Sequence, residues 1–239
     1  MSVLKKLFSR SRRYKRMKRE TEASRLAAIL EAGPFATFID VGANTGQTWD
    51  LLRKFGYRGK IISVEPLSEC HDMLVRKSKS DPNWVIAPRC ALSDHEGVVE
   101  ILVAEGTSLS SVTEPTRTMS DALPKAREAK REKVPLHRLD GLLKKEVESR
   151  GKVFLKIDAQ GHDMEVLKGA EGVMNHIDGV KIEMSLLPLY EGETLFLDIL
   201  KYLDAKGFSP HLLVDVGYSK KLGRQLQIDG TFIRDPADC

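Results

Sequence analysis

Two stretches of the sequence place chemically active side chains at the ends of apolar runs. The first begins at Phe35 and ends Asp40-Val41-Gly42-Ala43-Asn44-Thr45-Gly46-Gln47. Glycines at such a point let the backbone approach a ligand closely, and the helix that follows offers unpaired N–H groups. The stretch predicts a turn that binds a nucleotide-like cofactor.

The spacing of this turn discriminates between nucleotide cofactors. A dinucleotide site uses Gly-x-Gly-x-x-Gly against a pyrophosphate, but Asn44 stands where the second glycine would be. The phosphate loop of ATPases is excluded because no Gly-Lys-Ser/Thr sequence closes the turn. Glu65 ends the next apolar run, 19 residues beyond Gly46, where an acid can accept hydrogen bonds from a ribose diol. The spacing favours a cofactor that offers a ribose but no pyrophosphate.

The second stretch adds groups suited to proton transfer. Asp158 ends an apolar run, His162 follows one helical turn later, and Glu183 ends the next run. Each could remove a proton from an alcohol, and histidine has the pKa best suited to neutral pH. Alternatively, His162 is a surface or helix-capping residue, and Asp158 contacts the cofactor. Lys156 shares the Asp158 side of its strand and needs an acidic partner if buried; Glu183 is the predicted partner.

With these residues the chain resembles the FkbM-type S-adenosylmethionine (SAM)-dependent methyltransferases, which mostly methylate hydroxyl groups of sugars and natural products. The resemblance rests on the turn, on Val64-Glu65-Pro66, on Ala91-Leu92-Ser93-Asp94 and on the segment 155–170. It covers residues 35 to 215. Ala159, Gln160 and Asp163 depart from the commoner family pattern, which has Val, Glu and Glu there. Gln160 cannot act as a base.

The resemblance implies SAM as the cofactor and gives roles to individual residues. The methionine moiety would be surrounded by Asp40, Gly42, Asn44, Gly46 and Gln47. Glu65 would hold the ribose, and Ser93 with Asp94 would approach the adenine amine. The catalytic candidates are Asp158, His162 and Glu183. No metal site is predicted, because the ligand sets of hard cations have no distinctive spacing in this sequence.

The elements that must position these residues alternate between strand and helix. Predicted strands cover 36–41, 60–65, 84–88, 153–158, 179–185, 209–214 and 226–234, and predicted helices cover 21–32, 45–55, 68–78, 162–174 and 193–206. This alternation predicts a parallel sheet with right-handed crossovers, with the first helix over an edge of the sheet. Together with the resemblance it implies an α/β, Rossmann-like class I methyltransferase fold, with a seven-stranded, mostly parallel sheet and helices on both faces.

An insertion at 97–140 interrupts the alternation. Val98 to Ala104 and Val134 to Leu139 predict the strands of an extra β-hairpin. The densely charged segment 121–133 between them predicts a solvated helix or a lid over the substrate, with a plain surface insertion as the alternative.

Composition predicts one domain at 21–239, preceded by a basic tail at 1–20. The chain has 239 residues and 41% hydrophobic content, enough for a single core. Nine of its 38 Lys and Arg residues lie in 1–19, which leaves a body with 29 basic and 34 acidic residues. Cys70, Cys90 and Cys239 form no Cys-x-x-Cys pair, which argues against a zinc site or a disulfide framework.

The basic tail suggests where the protein resides. It carries apolar residues at helical spacing beside lysines, which would suit an anionic membrane surface. A solvated, frayed terminus is the alternative; nucleic acid is not expected as a partner, because few aromatic residues are available for stacking. No apolar run is long enough to span a membrane, so we expect a cytoplasmic protein, with peripheral contact at the inner membrane surface as one option.

These observations predict a SAM-dependent O-methyltransferase that acts on a glycan, a glycolipid or another small molecule such as a secondary metabolite. The alternatives are a methyltransferase acting on RNA or protein, and a non-catalytic SAM-fold module that binds a membrane or a partner through its tail. Residues that would select the acceptor lie in 105–133 and 186–193.

Overall fold

The computed structural model describes residue 17 and residues 20–122 and 128–234. The segment predicted to contact membranes lies outside these ranges, apart from residue 17. Within the described ranges there are ten strands: β1 (Phe35–Val41), β2 (Lys60–Val64), β3 (Trp84–Ile86), β4 (Ala91–Leu92), β5 (Gly97–Ala104), β6 (Glu128–His137), β7 (Lys152–Ile157), β8 (Gly179–Ser185), β9 (Phe208–Ser219) and β10 (Arg224–Arg234).

Seven of these strands form the main sheet in the order β3-β2-β1-β7-β8-β10-β9. The strands β1, β2, β3, β7 and β8 pair in parallel, whereas β10 is antiparallel to both β8 and β9. The predicted seven-stranded, mostly parallel sheet is confirmed. Its central strands are mostly apolar because both faces of the sheet are covered.

Eight helices accompany the strands in the described part of the chain: α1 (20–32), α2 (Gln47–Lys54), α3 (Ser68–Ser78), α4 (Arg117–Ala122), α5 (Leu139–Leu142), α6 (Lys144–Val147), α7 (Asp163–Gly169) and α8 (Phe196–Ala205). On one face, α1, α2 and α3 pack over Phe38 and Phe154, whose rings stack 5.3 Å apart. On the other, α5 to α8 pack over Ile39 and Leu155. Neighbouring residues of a strand point to opposite faces, so the two layers share the same strands.

Two helices differ from the sequence prediction. Helix α1 does not cover an edge of the sheet, since its Leu26 and Leu30 pack over the central strands. The predicted helix 162–174 ends instead at Gly169 and continues as a 3₁₀ segment, Glu171–His176. Gly169 lies so close to the chain that a Cβ atom there would be 2.0 Å from the Ser93 carbonyl oxygen. Helix α7 is therefore fixed against the end of β4.

The insertion forms the predicted hairpin, with β6 between β4 and β5 in a small three-stranded sheet. The prediction of a charged helix or lid at 121–133 is wrong in part, because residues 128–133 belong to β6; residues 123–127 lie outside the described ranges. Opposite charges face each other across this hairpin, with Arg131 and Lys133 both within 4.0 Å of Glu100. Such cross-strand pairs stabilise an exposed strand despite its low apolar content.

A largely buried cluster of charges links helix α1 to the sheet. Lys181 of β8 lies 2.5 Å from Asp229 of β10 and 3.1 Å from Glu22 of α1. Burial alone would lower the pKa of Lys181, but these carboxylates raise it above its ordinary value. The Lys181 ammonium group therefore stays charged and ties α1 to the sheet. Among the described residues, no helix combines the length and apolar character needed to cross a membrane.

We expect Lys181→Ala to lower the free energy of unfolding by about 3–5 kcal/mol, because it leaves the buried Asp229 carboxylate without its cation. The matched control is Lys201→Ala on α8, which removes an exposed pair with Asp198 and should cost less than about 1 kcal/mol. Urea unfolding followed by circular dichroism measures both. If both variants lose the same free energy of unfolding, the ion pair of Lys181 contributes no more to stability than an exposed pair does, and the prediction is wrong.

Candidate active site

The carboxyl ends of β1, β2 and β7 meet at one edge of the main sheet, where an open cleft of about 680 Å³ lies. The cleft brings together residues from both chemically active stretches: Gly42, Asn44, Glu65, Asp158 and His162. We call it the first cleft.

The turn after β1 forms one wall of the first cleft through backbone conformations that few residues adopt. Gly42 has φ 70°, and a Cβ atom there would lie 2.0 Å from the Asp158 carbonyl oxygen. Asn44 also has a positive φ, 49°, a region that asparagine tolerates better than most residues. Its Nδ2 donates to Thr107 Oγ1 at 3.2 Å. The turn is therefore pressed against β7 and tied to the insertion.

Glu65 fits the predicted contact with a ribose. Its Oε2 accepts a hydrogen bond from the Asn44 N–H at 2.7 Å, and its Oε1 accepts one from the Leu67 N–H at 2.8 Å. Each oxygen keeps a further lone pair for a ligand hydroxyl. Only 3% of the residue is exposed, and this burial raises the pKa of the carboxyl to about 7.

Lys156 pairs with Asp40, so the prediction that Glu183 is its partner is wrong. The Lys156 Nζ lies 2.8 Å from Asp40 Oδ1 and 3.7 Å from Asp158 Oδ2. Asp40 and Lys156 sit opposite each other in the β1–β7 register, on the same face of the sheet. Asp40 is wholly buried beneath the turn and does not line the cleft.

Gly46 also lies outside the cleft and has a packing role. A Cβ atom there would come within 2.8 Å of the Trp84 ring. Its positive φ of 86° and this close contact let α2 start directly against β3. Asp40 and Gly46 therefore pack against the protein interior and support the turn, while Gly42 and Asn44 line the first cleft.

Asp158 and Glu183 are joined by an amide. The Gln160 Nε2 donates to Asp158 Oδ1 at 2.7 Å and to Glu183 Oε1 at 3.2 Å. Glu183 Oε1 also accepts a bond from Gln227 Nε2 at 2.5 Å, and the Tyr190 hydroxyl donates to Gln160 Oε1 at 2.8 Å. Burial raises the pKa of Glu183 well above its ordinary value. Sequence reasoning gave no role to Gln227 and none to the Gln160 amide, and no local pattern marks either.

His162 lies with Ser93 and not with the carboxylate pair. Its Nε2 is 2.9 Å from Ser93 Oγ, and its neighbours along the cleft wall include Leu92 and Val166. Burial lowers the pKa of His162. The Asp94 carboxylate turns away to His95 Nδ1, 2.7 Å distant, and does not line the cleft.

A second cleft of about 930 Å³ opens between α1 and α2 and meets the first at Gly42, Asn44, Ser108 and Asp158. Its lining is mixed. Polar groups come from Glu22, Gln47, Thr48, Lys156 and Lys181, and apolar surface comes mainly from Ala23, Leu26 and Leu51. Gln47, which sequence reasoning placed near the methionine moiety, lies here.

Residues 105–116, which we call the strap, cross the first cleft. Besides the bond from Asn44 to Thr107, the Ser111 Oγ donates to the Gln160 carbonyl oxygen at 2.5 Å. At the far end of the strap, Pro115 forms an isolated antiparallel β-bridge with Tyr190. The strap is thus anchored on both walls of the cleft, and Ser108 and Ser110 face the space beneath.

Comparison with known families identifies the chemistry that this edge of the sheet supports. The family model described as the methyltransferase FkbM domain matches residues 40–210, more than half of the chain. The chain belongs to the FkbM methyltransferase family. It is therefore a SAM-dependent methyltransferase, and SAM is its cofactor. Among curated proteins, none matches the sequence significantly.

Solved structures align with this FkbM methyltransferase over most of its length. An uncharacterized protein from Listeria monocytogenes serotype 4b aligns with a TM-score of 0.50 and 5% identity, over 93% of this chain and 69% of that one. Magnesium protoporphyrin IX methyltransferase from Synechocystis PCC 6803, crystallised with SAM, aligns with a TM-score of 0.49 and 10% identity, over 92% of this chain and 81% of that one. The 1,6-didemethyltoxoflavin-N1-methyltransferase from Burkholderia thailandensis aligns with a TM-score of 0.43 and 15% identity, over 98% of this chain and 88% of that one. At these identities the likeness concerns the fold alone.

Gly42→Ala should abolish binding of S-adenosylhomocysteine (SAH), the demethylated product of SAM, and destabilise the protein by at least about 1–2 kcal/mol. The substitution adds a side chain at positive φ and forces it against the Asp158 carbonyl oxygen. Calorimetry and thermal unfolding measure the two effects. Gly97→Ala is the control, since its added methyl group meets no atom within 4 Å; a variant of Gly42 that binds SAH normally would contradict the geometry.

Binding of SAH should weaken as the pH falls below about 7. Ribose hydroxyls donate to an ionised carboxylate, and Glu65, whose pKa burial raises to about 7, must lose a proton to provide one. Below that pH the affinity should fall by about tenfold per unit, and above it the affinity should be constant. Calorimetry across the pH range tests this, with Glu65→Gln expected to flatten the profile and Glu69→Gln, an exposed acid on α3, to preserve it.

Proposed function

We propose that this FkbM methyltransferase transfers the methyl group of SAM to a hydroxyl group of a glycan, a glycolipid or a secondary metabolite. The observation that carries the proposal is the position of Asp158. Its side chain is 38% exposed and lies where the two clefts meet. An alcohol needs a proton acceptor at the reacting oxygen, and Asp158 is a carboxylate placed to serve.

The first cleft suits the adenosine part of SAM. Glu65 would accept hydrogen bonds from the ribose diol, and the apolar wall of Leu67, Ala91 and Leu92 would flank the adenine. His162, supported by Ser93, would close the same wall rather than act as the base. The methionine end would then cross Gly42 towards the second cleft, which brings the sulfonium to the junction.

The reaction at this junction needs few protein groups, because the sulfonium already activates the methyl group. SAM bound at this place would supply its methyl group to the acceptor oxygen, and the electron pair of the broken carbon–sulfur bond would remain on sulfur to give the neutral thioether SAH. The hydroxyl proton passes to Asp158. Glu183 lines neither cleft and therefore does not compete as a base. The protein's main contribution is to align the acceptor oxygen, methyl group and sulfur and to exclude water.

The lining of the second cleft supports an uncharged, polyhydroxylated acceptor. Two cationic and two anionic side chains balance there, Lys156 and Lys181 against Glu22 and Asp158. Gln47 and Thr48 add neutral donors and acceptors, while Leu26 and Leu51 offer apolar surface. Sugar rings present hydroxyl groups at their edges and C–H groups on their faces, so this mixture suits them.

The proposal is tested by methyl transfer from tritiated SAM to a panel of oligosaccharides, glycolipids and polyketide alcohols, with amines as competing acceptors. Asp158→Asn should lower kcat by at least about 100-fold on an alcohol acceptor while SAH affinity stays within about threefold, because only the proton acceptor is lost. His162→Gln should lower kcat by less than about tenfold. The reverse order of the two variants, or methylation of amines alone, would refute the proposal.

A further inference from the structure

Gln160 stands at the centre of a turn whose backbone is unusual. Its φ is 50°, and the next residue, Gly161, has φ 87°; a glutamine in this region costs free energy and persists only when surrounding contacts fix it. Asp163 supplies part of that support, accepting bonds from the N–H groups of Ala159 at 2.9 Å and Gly161 at 3.1 Å. The turn is held in one conformation.

Tyr190 fixes the turn from the opposite side. The residue is wholly buried, and a Cβ atom on Gly161 would come within 2.6 Å of the Tyr190 ring. Burial raises the pKa of the Tyr190 hydroxyl above its ordinary value, so the group remains protonated and can donate. Its acceptor is Gln160 Oε1, at 2.8 Å.

These contacts allow the Gln160 amide only one orientation. Its nitrogen carries two N–H bonds, one for Asp158 and one for Glu183. A rotated amide would set its carbonyl oxygen against both carboxylates and would also lose the bond from Tyr190. Orientation of this amide therefore follows from the requirement that each donor faces an acceptor.

We propose that Gln160 is a positioning residue for methyl transfer: its amide holds the carboxylates of Asp158 and Glu183 apart and directs the free oxygen of Asp158 to the junction of the clefts. That oxygen, Oδ2, faces Lys156 Nζ at 3.7 Å. The inference rests on the proposed function, in which Asp158 receives the acceptor proton. It gives Gln160 a task in this chain although the residue cannot itself accept a proton.

The strap connects the same turn to the first cleft. Ser111, which lines the first cleft, donates to the Gln160 carbonyl oxygen. The residue that orients Asp158 is therefore bonded through its backbone to the cover of the cofactor cleft and through its side chain to the acceptor side. Gln160 therefore contacts both the strap and the carboxylate of Asp158.

Several charged or titratable groups surround Asp158 and must be considered in any pH experiment. They are Lys156 on β7, Asp40 on β1, Lys181 and Glu183 on β8, Asp229 on β10, Asp163 on α7, and Tyr190 and Glu193 in the loop after β8. A substitution that adds a charge elsewhere on β10 controls for general electrostatic effects on this group.

The experiment follows the carboxyl ¹³C signal of Asp158, assigned with Asp158→Asn, during pH titration of aspartate-labelled protein with SAH present. Gln160→Glu should move the midpoint upward by at least about one pH unit, because a like charge replaces an N–H donor. Tyr190→Phe, which keeps the ring and removes the hydroxyl, should move it in the same direction by less. Gln225→Glu, the same charge change on β10, should leave it in place.

The results separate positioning from a merely structural role. A structural role would lower the melting temperature of Gln160→Glu without moving the Asp158 titration. If Gln160→Glu does not fold, Tyr190→Phe decides: a midpoint equal to that of Gln225→Glu overturns the proposal. Calorimetry with SAH is read alongside. Failure of the unaltered protein to bind SAH would count against the proposed function, while an unmoved Asp158 titration counts against the positioning role alone.

Discussion

The site depends on the buried ion pair between Asp40 and Lys156, which lies where the two central strands end. An unpaired charge at this position would cost several kcal/mol, so each residue requires the other. The Lys156 Nζ also lies 3.3 Å from the Val41 carbonyl oxygen and 3.4 Å from that of Gly42. One ammonium group therefore holds the cofactor turn and the Asp158 strand at a fixed separation, and the contact between Gly42 and Asp158 follows from it.

The features that follow from local pattern could be predicted from sequence. Apolar runs ending in Glu65 and Asp158 predicted strands with acids at their tips, and the right-handed crossover placed those tips at one edge. The partner of Lys156 could not be predicted in the same way. Alternation tells which face of a strand a residue occupies, but the register between β1 and β7, which sets Lys156 opposite Asp40, is decided by the packing of the whole sheet.

Contacts between distant segments account for the remaining errors. Residues 128–133 have the composition of a solvated helix, yet cross-strand pairing with Glu100 makes them a strand. The bonds from Gln227 to Glu183 and from Tyr190 to Gln160 join residues 44 and 30 positions apart. The sequence around Gln227 or Tyr190 does not predict these bonds, because the bonding partners come together only in the folded chain.

The position of β10 between β8 and β9 has a consequence for the chain during its synthesis. Strand β9 leaves the ribosome before β10 but borders only β10 in the sheet, so it can join the sheet only as half of a hairpin. Until then the nascent sheet has five strands and an open edge at β8. Gln227 and Asp229, the partners of Glu183 and Lys181, arrive in the same step. Translation therefore produces the strands that border the first cleft before β10, which brings the side-chain partners of Glu183 and Lys181.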